Sequence, residues 1–166
     1  MIYWFGMKQL NIQFSGHAKT ISFQAVISAV RTFSDAFNIP WSNTPTTALT
    51  SEQVALRHRL MEEENNEYLE AANAGDMVEV ADALGDQLYI LCGTILSHGM
   101  QDVIEDVFSE IQASNMSKLG SDSLPILRED GKVLKGPNYF RPDISSILTN
   151  SGKLVQPLKG VVTQLK

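Results

Sequence analysis

Two groups of closely spaced carboxylates are the residues of this chain that could do chemistry. The first group is formed by the three glutamates of the segment EENNE. The second is formed by the two acids of the segment EVAD and by Asp86, which lies four residues further on. Together they comprise Glu63, Glu64, Glu67, Glu79, Asp82 and Asp86. Carboxylate oxygens without histidine or cysteine are the ligands that Mg²⁺ and Mn²⁺ prefer, and these ions commonly serve phosphate chemistry. The spacing therefore predicts a site for a hard divalent cation.

Within each group, the acids are spaced so that they lie on one face of a helix. The three glutamates of the first group span an arc of about 100° on a helix, and Leu56 and Leu60 share that arc. The three acids of the second group span an arc of about 60°, on a segment whose other residues are almost all apolar. We therefore expect the carboxylates to point toward the core and the helix that carries the second group to be buried.

The charge around these residues is one-sided. Residues 60–117 contain 13 of the 19 acids and no Lys or Arg, whereas from Lys118 onward eight bases stand against four acids. A buried carboxylate is costly unless a cation compensates it, and no base lies nearby in sequence. A bound metal ion would supply that cation. The alternative is a helix face that is simply solvated, and the leucines on the acidic arc argue against it.

Composition excludes several other classes of protein. Cys92 is the only cysteine, so an intramolecular disulfide and a cysteine-based zinc site are excluded. A ferritin-like di-iron bundle needs Glu-x-x-His pairs, and none of His17, His58 and His98 has a glutamate three residues before it. The net charge of −6 argues against duplex nucleic acid as a partner. Without a signal-peptide pattern or a long apolar run, we expect a soluble, cytoplasmic protein with no membrane partner.

Helices must position the two acidic groups. Apolar periodicity with start and stop signals predicts four helices, over about residues 22–38, 50–74, 76–98 and 103–115. Their short connections indicate an all-α bundle. The second and third helices meet between Gly75 and Asp76, so they should run antiparallel and bring the acidic groups to one level. Beyond residue 119, Asp130 and Gly131 predict a turn with a small hairpin around it.

The length of the chain and its apolar surface predict how the chain is organised. We expect one domain over residues 21–144, an N-terminal extension over 1–20 and a loosely ordered C-terminal tail over 145–166. The third helix is apolar on nearly every side, which is more surface than three partner helices of one short chain can cover. We therefore expect an oligomer, with a dimer as the minimum.

The order of these segments also resembles a known family. EENNE, followed eleven residues later by EVAD, resembles the EExxE and ExxD motifs of the MazG-like and dimeric-dUTPase superfamily of all-α nucleoside triphosphate pyrophosphohydrolases. DMVEVADALGDQLYILCGTILSHG resembles the third helix of that superfamily. SNMSKL and DGKVLKGPNYFRPD resemble the C-terminal segment of its phosphoribosyl-ATP pyrophosphatase-like branch. The likeness covers residues 23–144. Because members of this superfamily build their bundles from two or four chains, it also implies a homodimer or a homotetramer.

The resemblance implies an activity and a role for each site residue. It implies hydrolysis of a nucleoside triphosphate to the monophosphate and pyrophosphate, directly or through the diphosphate, with two or more Mg²⁺ or Mn²⁺ ions. Glu63 would be the base for the attacking water, and Asp86 would be an additional metal ligand or would support one. The remaining metal ligands would be Glu64, Glu67, Glu79 and Asp82. Contacts to the triphosphate and sugar are implied for Asn115, Lys118, Lys135, Asn138 and Tyr139.

The identity of the base is the least determined part of this interpretation. The chain is similar to compact single-domain members that occur in phage genomes, and that likeness implies a bacterial or phage-infected host cytosol. The same likeness favours a purine, with (d)GTP first. Four aromatic residues could stack on a base or belong to the core: Phe33, Phe37, Trp41 and Tyr139. Two other functions stay open: a non-catalytic MazG-like bundle that binds a nucleotide or a partner protein, and a phosphoribosyl-ATP pyrophosphatase.

Overall fold

The structure is a computed structural model that describes residues 11–14 and 17–151. Within them, a two-stranded antiparallel hairpin precedes five helices. The elements are β1 (Asn11–Phe14), β2 (His17–Thr20), α1 (Phe23–Ala36), α2 (Ser51–Ala74), α3 (Met77–Ser97), α4 (Ile104–Met116) and α5 (Ile144–Asn150). The predicted all-α fold class is confirmed, and the bounds of α1 to α4 lie within two residues of the predicted ones. Among the described helices, none combines the length and the apolar character that a membrane span requires.

The chain forms two compact units. The first unit comprises the described residues up to Pro40 together with Glu52–Leu96, so it holds α1 and nearly all of α2 and α3. The second unit comprises Trp41–Ser51 together with the described residues from Ser97 onward, which include α4 and α5. Both acidic groups belong to the first unit.

The turn between α2 and α3 follows from two residues. Gly75 adopts a φ of +71°, a left-handed conformation that glycine reaches without strain from a Cβ atom. Asp76 then caps α3, because its Oδ1 accepts hydrogen bonds from the backbone N–H groups of Val78 at 3.0 Å and Glu79 at 3.2 Å. The chain thus leaves one helix and enters the next within two residues.

Two side-chain hydrogen bonds connect α2 and α3 beyond this turn. Gln87 Nε2 donates to the backbone oxygen of Glu64 at 3.2 Å, and Arg57 Nε donates to Thr94 Oγ1 at 3.0 Å. Glu64 precedes Gly75 by 11 residues and Gln87 follows Asp76 by 11; for Arg57 and Thr94 the corresponding separation is 18. The two helices therefore form a regular antiparallel hairpin, as the sequence predicts.

Within α3, burial is concentrated at the C-terminal end. Cys92, Ile95 and Leu96 are buried there, whereas Val78 is 75% exposed and Leu88 is 41% exposed. The prediction that this helix is buried is wrong for most of its length in a single chain. The reason is that the helices of one chain leave the first half of α3 largely uncovered.

In the second unit, the loop before α2 packs on the connection between α3 and α4. Gly99 has a φ of +65°, and a Cβ atom there would lie 2.0 Å from the backbone oxygen of Thr44. The backbone N–H of Thr46 donates to the oxygen of His98 at 3.0 Å, and Gln101 Nε2 donates to the oxygen of Ser42 at 3.0 Å. The close approach at residue 99 therefore requires glycine.

The predicted hairpin around Asp130 and Gly131 is present. Leu127 and Val133 form an antiparallel bridge, and Gly131 takes a φ of +82° between them. The left-handed conformation at the turn explains the glycine that follows the aspartate.

The ends of the chain differ from the sequence-based expectation. Residues 145–150 were expected to belong to a loose tail, but they lie in α5, whose first turn is capped by Asp143 Oδ1 accepting from the Ser146 N–H at 3.0 Å. That part of the tail prediction is wrong, because a capped turn anchored to α4 through Glu110 stabilises the helix. Residues 152–166 and, in the N-terminal extension, residues 1–10, 15 and 16 lie outside the described residues. The domain limits remain a prediction.

Candidate metal site

The α2 acidic group is positioned by the hairpin. Glu64 is half-buried on the side of α2 that meets α3, and its backbone oxygen accepts the hydrogen bond from Gln87. Glu63 and Glu67 are exposed. Glu64 is therefore the carboxylate of this group that the fold places deepest.

One oxygen of Glu64 lacks a partner. Its Oε2 is buried and forms no hydrogen bond with any described residue. Buried carboxylate oxygens nearly always accept hydrogen bonds or bind cations, because burial without either costs several kcal/mol. An oxygen in this state fits a ligand atom for a cation.

The neighbouring acids act on Glu64 through their charges. Burial raises the pKa of Glu64 above the usual glutamate range, and the charges of Glu67, Asp86, Glu63 and Asp82 raise it further, in that order. The structure thus brings five of the six predicted carboxylates into one electrostatic cluster. A divalent cation would relieve both the burial and the repulsion.

Glu79 stands apart from this cluster. It is exposed, and its charge does not contribute to the raised pKa of Glu64. Glu79 precedes Gln87 by eight residues, which corresponds to about 12 Å along α3. In a single chain, therefore, Glu79 lies about two turns from the level at which Glu64 meets α3.

The carboxylates share a region without converging on one point. Within the described part of the chain, no three His, Cys, Asp or Glu side chains stand close enough together to hold a metal ion as they are placed. The prediction that the acidic side chains point into the core is wrong for five of them, which are exposed: Glu63, Glu67, Glu79, Asp82 and Asp86. The uncovered half of α3 and the mutual repulsion of like charges account for this difference. The donor set itself, oxygen only, suits Mg²⁺ or Mn²⁺.

The predicted substrate-binding residues belong to the second unit. Lys118 Nζ donates to Asn115 Oδ1 at 2.7 Å, so these two side chains are together at the C-terminal end of α4. Lys135 Nζ lies 4.2 Å from the centre of the Tyr139 ring, a cation–π contact. Asn138 is exposed.

Gly136 brings these two pairs together. Its backbone N–H donates to the oxygen of Lys118 at 2.9 Å, and a Cβ atom at this position would lie 2.1 Å from the oxygen of Leu119. A glycine is therefore needed for the segment with Lys135 and Tyr139 to approach the end of α4. The resulting surface offers two amines and an aromatic ring, groups that bind phosphate oxygens and sugars or bases.

Two of the four candidate stacking residues pack against one another in the first unit. The Phe33 ring centre lies 4.3 Å from that of Phe37, and it meets Tyr89 of α3 edge-on at 5.6 Å. This packing joins α1 to α3, but the cluster is not part of the core, because Phe33 is 39% exposed and Phe37 is 66% exposed. Trp41 belongs to the second unit and is half-buried.

Sequence reasoning missed the residues that connect the two acidic helices. Arg57 Nη2 donates to the backbone oxygen of Ile90 at 2.7 Å, in addition to the bond from Nε to Thr94, and Gln87 bonds to Glu64. One signal was available: Arg57 lies seven residues before Glu64, an interval that returns to nearly the same helix face. The identity of the acceptors on α3 could not be read from α2.

Comparison with known proteins identifies the family. The family model of phosphoribosyl-ATP pyrophosphohydrolase matches residues 30–115, which is just over half of the chain and includes both acidic groups. A search of curated proteins gave no significant match. The family match supports pyrophosphohydrolase activity in general and confirms the MazG-like resemblance. The chain belongs to the phosphoribosyl-ATP pyrophosphohydrolase family.

Proposed function

We propose that this protein is a Mg²⁺- or Mn²⁺-dependent pyrophosphohydrolase that cleaves a nucleoside triphosphate into the monophosphate and pyrophosphate. The observation that carries the proposal is the buried, unpartnered Oε2 of Glu64 within a cluster of four other carboxylates. Phosphate chains and carboxylates are both anionic, so a substrate of this family could bind beside the cluster only with cations between them.

Each carboxylate has a role in this proposal. Glu64, Glu67, Asp82 and Asp86 would hold two or more ions, and Glu79 would be a further ligand. Bound ions would neutralise the phosphate oxygens and lower the pKa of the attacking water. Glu63 is adjacent to Glu64 and exposed, so its carboxylate is free to orient that water and accept its proton.

The second unit carries the residues that we expect to bind nucleotide. We propose contacts to the triphosphate and sugar from five residues: Asn115, Lys118, Lys135, Asn138 and Tyr139. The amine of Lys118 is already oriented by Asn115, and that of Lys135 by the Tyr139 ring. Pre-oriented cations bind phosphate at a smaller entropic cost than free ones.

We also propose that the chain is a homodimer or a homotetramer. A groove of about 680 Å³ runs between α2 and α3, and its apolar lining includes Met61, Leu84, Leu88 and Leu91. Leu84, Leu88 and Leu91 are each more than 40% exposed in a single chain. Apolar side chains exposed at helical spacing are typical of helices that are covered by another copy in an assembly.

The identity of the substrate is the most specific part of the proposal. Phosphoribosyl-ATP is the second candidate, because the matching family model carries that activity in its description. Among ordinary nucleotides, (d)GTP is the first expectation, and it rests only on the likeness to compact single-domain members. A non-catalytic bundle that binds a nucleotide or a partner protein is the remaining alternative.

A nucleotide panel tests the proposal. The protein is incubated with each NTP and dNTP and with phosphoribosyl-ATP, in Mg²⁺ or Mn²⁺, and the products are separated by chromatography. We expect one class of substrate to yield a monophosphate and pyrophosphate, and we expect no turnover in EDTA. Tight nucleotide binding without turnover in either metal would instead establish the non-catalytic bundle. Turnover that is confined to phosphoribosyl-ATP would establish the second candidate.

A further inference from the structure

Arg57 is a half-buried cation that lies on the acidic helix, and its hydrogen bonds within the described part of the chain go to neutral groups of α3. Its Nη2 donates to the backbone oxygen of Ile90 at 2.7 Å and its Nε donates to Thr94 Oγ1 at 3.0 Å. Thr94 Oγ1 also donates to the same Ile90 oxygen at 2.9 Å. Two of the three guanidinium nitrogens are thus committed to one turn of α3.

The surface of α3 is shaped to admit this guanidinium. A Cβ atom on Gly93 would lie 2.8 Å from Arg57 Nη2 and 3.4 Å from Cζ, so the side chain occupies the space that any larger residue would fill. Burial lowers the pKa of Arg57, which means that the contact removes the charge partly from water. An arginine that was needed only for solubility would not be placed in this way.

The face to which Arg57 binds is the face that carries the acidic group of α3. Ile90 follows Asp86 by four residues, which is about one helical turn, so both lie on one side of α3. On α2, Arg57 precedes Glu64 by seven residues and shares its face. A shift of α3 along α2 that separated Asp86 from Glu64 would therefore break the bonds of Arg57.

We propose that Arg57 is a positioning residue, whose guanidinium holds α3 in the register at which Asp82 and Asp86 face Glu64. The inference rests on the proposed function, because Arg57 acts through the metal affinity of those carboxylates. Its two bonded nitrogens leave α3 little freedom to slide or rotate against α2.

The direction of the change in Mn²⁺ affinity distinguishes a positioning role of Arg57 from a purely electrostatic one. Removing a positive charge near an acidic cluster should tighten cation binding by charge alone. Removing a residue that aligns the carboxylates should weaken cation binding instead. A residue that contacted the substrate phosphates would change the KM for the nucleotide and leave the affinity for metal unaltered.

The test measures Mn²⁺ binding to the full chain by titration calorimetry and by the electron paramagnetic resonance of free Mn²⁺. The variants are Arg57→Met, which keeps the bulk and removes the donors, Arg57→Lys, and Thr94→Val, which removes one acceptor without changing the charge. Arg59→Met is the matched control, because Arg59 is an exposed base on the same helix and its loss changes the net charge equally. Circular dichroism establishes that each variant is folded at the temperature of the titration.

We expect Arg57→Met to weaken Mn²⁺ binding about tenfold, as changes to groups that support metal ligands commonly do. Thr94→Val should weaken it less, Arg57→Lys should restore part of the loss, and the double variant Arg57→Met/Thr94→Val should bind no worse than Arg57→Met alone. Turnover should recover toward that of the wild type at saturating Mn²⁺.

Three results would overturn the inference. The first is Mn²⁺ affinity in Arg57→Met equal to or tighter than that of Arg59→Met, and the second is a raised KM for the nucleotide at unchanged Mn²⁺ affinity. The third result applies if Arg57→Met does not fold. It is a Mn²⁺ affinity that is unchanged in both Thr94→Val and Arg57→Lys. A wild-type chain that binds no Mn²⁺ would remove the proposed function and this inference together, whereas the three results above leave the proposed function standing.

Discussion

The side-chain amide of Gln87 donates a hydrogen bond of 3.2 Å to the backbone oxygen of Glu64. Gln87 directly follows Asp86, and the charges of four other carboxylates act on Glu64, so this bond sets Asp86 level with Glu64. A neutral donor connects the two helices here without adding a charge that would compete with a metal ion for the carboxylates.

Glu64→Gln should stabilise the metal-free protein at neutral pH. The pKa of Glu64 is raised in the folded state, so its contribution to stability is present at low pH and is lost as the pH rises through that raised pKa. Removing the charge should raise the free energy of unfolding by an amount on the order of 1 kcal/mol at pH 7.5 in EDTA, after allowance for solvent screening. Thermal unfolding at pH 7.5 and pH 4 measures this, and the gain should vanish at pH 4.

The control for this measurement is Glu70→Gln, an exposed residue of α2 outside both acidic groups. It should change the melting temperature little at either pH. A Glu64→Gln variant that melts below the wild type at pH 7.5 in EDTA would refute the assignment of an uncompensated charge to this residue.

Divalent cations should stabilise the wild type through the same carboxylate. If the proposed function holds, millimolar Mn²⁺ or Mg²⁺ would bind the folded chain in preference to the unfolded chain, so we expect the melting temperature to rise with metal concentration. The rise should be absent in Glu64→Gln and present in Glu70→Gln, as measured by scanning calorimetry. An equal rise in all three proteins would place the bound ions elsewhere.

Gly136→Ala should disturb the basic surface of the second unit. The new Cβ atom would lie 2.1 Å from the oxygen of Leu119, so the segment that carries Lys135 must move away from Lys118. We expect a loss of about 2 kcal/mol in stability and a raised KM for the nucleotide, with metal affinity unaltered. Denaturant unfolding and steady-state kinetics measure the two effects.

A suitable control is Gly131→Asn, since a Cβ atom at Gly131 meets nothing within 4 Å and asparagine tolerates a left-handed conformation. It should leave the KM unchanged. If Gly136→Ala matches the wild type in both stability and KM, the close approach of Gly136 to α4 has no role in binding.

Leu88→Glu should disrupt the proposed assembly. Leu88 lines the groove between α2 and α3 and is 41% exposed in a single chain, so a glutamate there costs little in the monomer but would be buried between copies. Sedimentation velocity at micromolar concentration should show a dimer or a tetramer for the wild type and a smaller species for the variant. Leu124→Glu, at an exposed apolar residue outside the groove, should sediment as the wild type does. A wild-type chain that sediments as a monomer would contradict the proposed oligomer.

The sequence predicted those parts of the fold that depend on neighbouring residues. Helices α1 to α4 follow from apolar periodicity, and the hairpin of α2 and α3 follows from Gly75 and Asp76, whose conformation and capping are local effects. Because that turn is short, the meeting of the two acidic groups followed from their similar distances to it. Helix α5 was missed because it is short and is anchored by Glu110 on another helix.

The exposure of the carboxylates and the role of Arg57 could not be predicted in the same way. A helical pattern indicates which residues share a face, but it does not show whether another element covers that face. Glu67 and Asp82 lie on the expected arcs and are nevertheless exposed in a single chain. Arg57 reaches Ile90 and Thr94 because of the register between α2 and α3, and the pattern of residues on α2 does not determine that register.

Pyrophosphate release is the measurement that tests the central claim most directly. The wild type, Glu64→Gln and Glu70→Gln are each incubated with the best substrate of the nucleotide panel, in Mg²⁺ and in EDTA, and pyrophosphate is quantified. We expect release by the wild type and Glu70→Gln in Mg²⁺ alone, and a loss of at least about a hundredfold, on the order of that for other catalytic groups, in Glu64→Gln. Undiminished release by Glu64→Gln, or equal release in EDTA, would contradict the central claim.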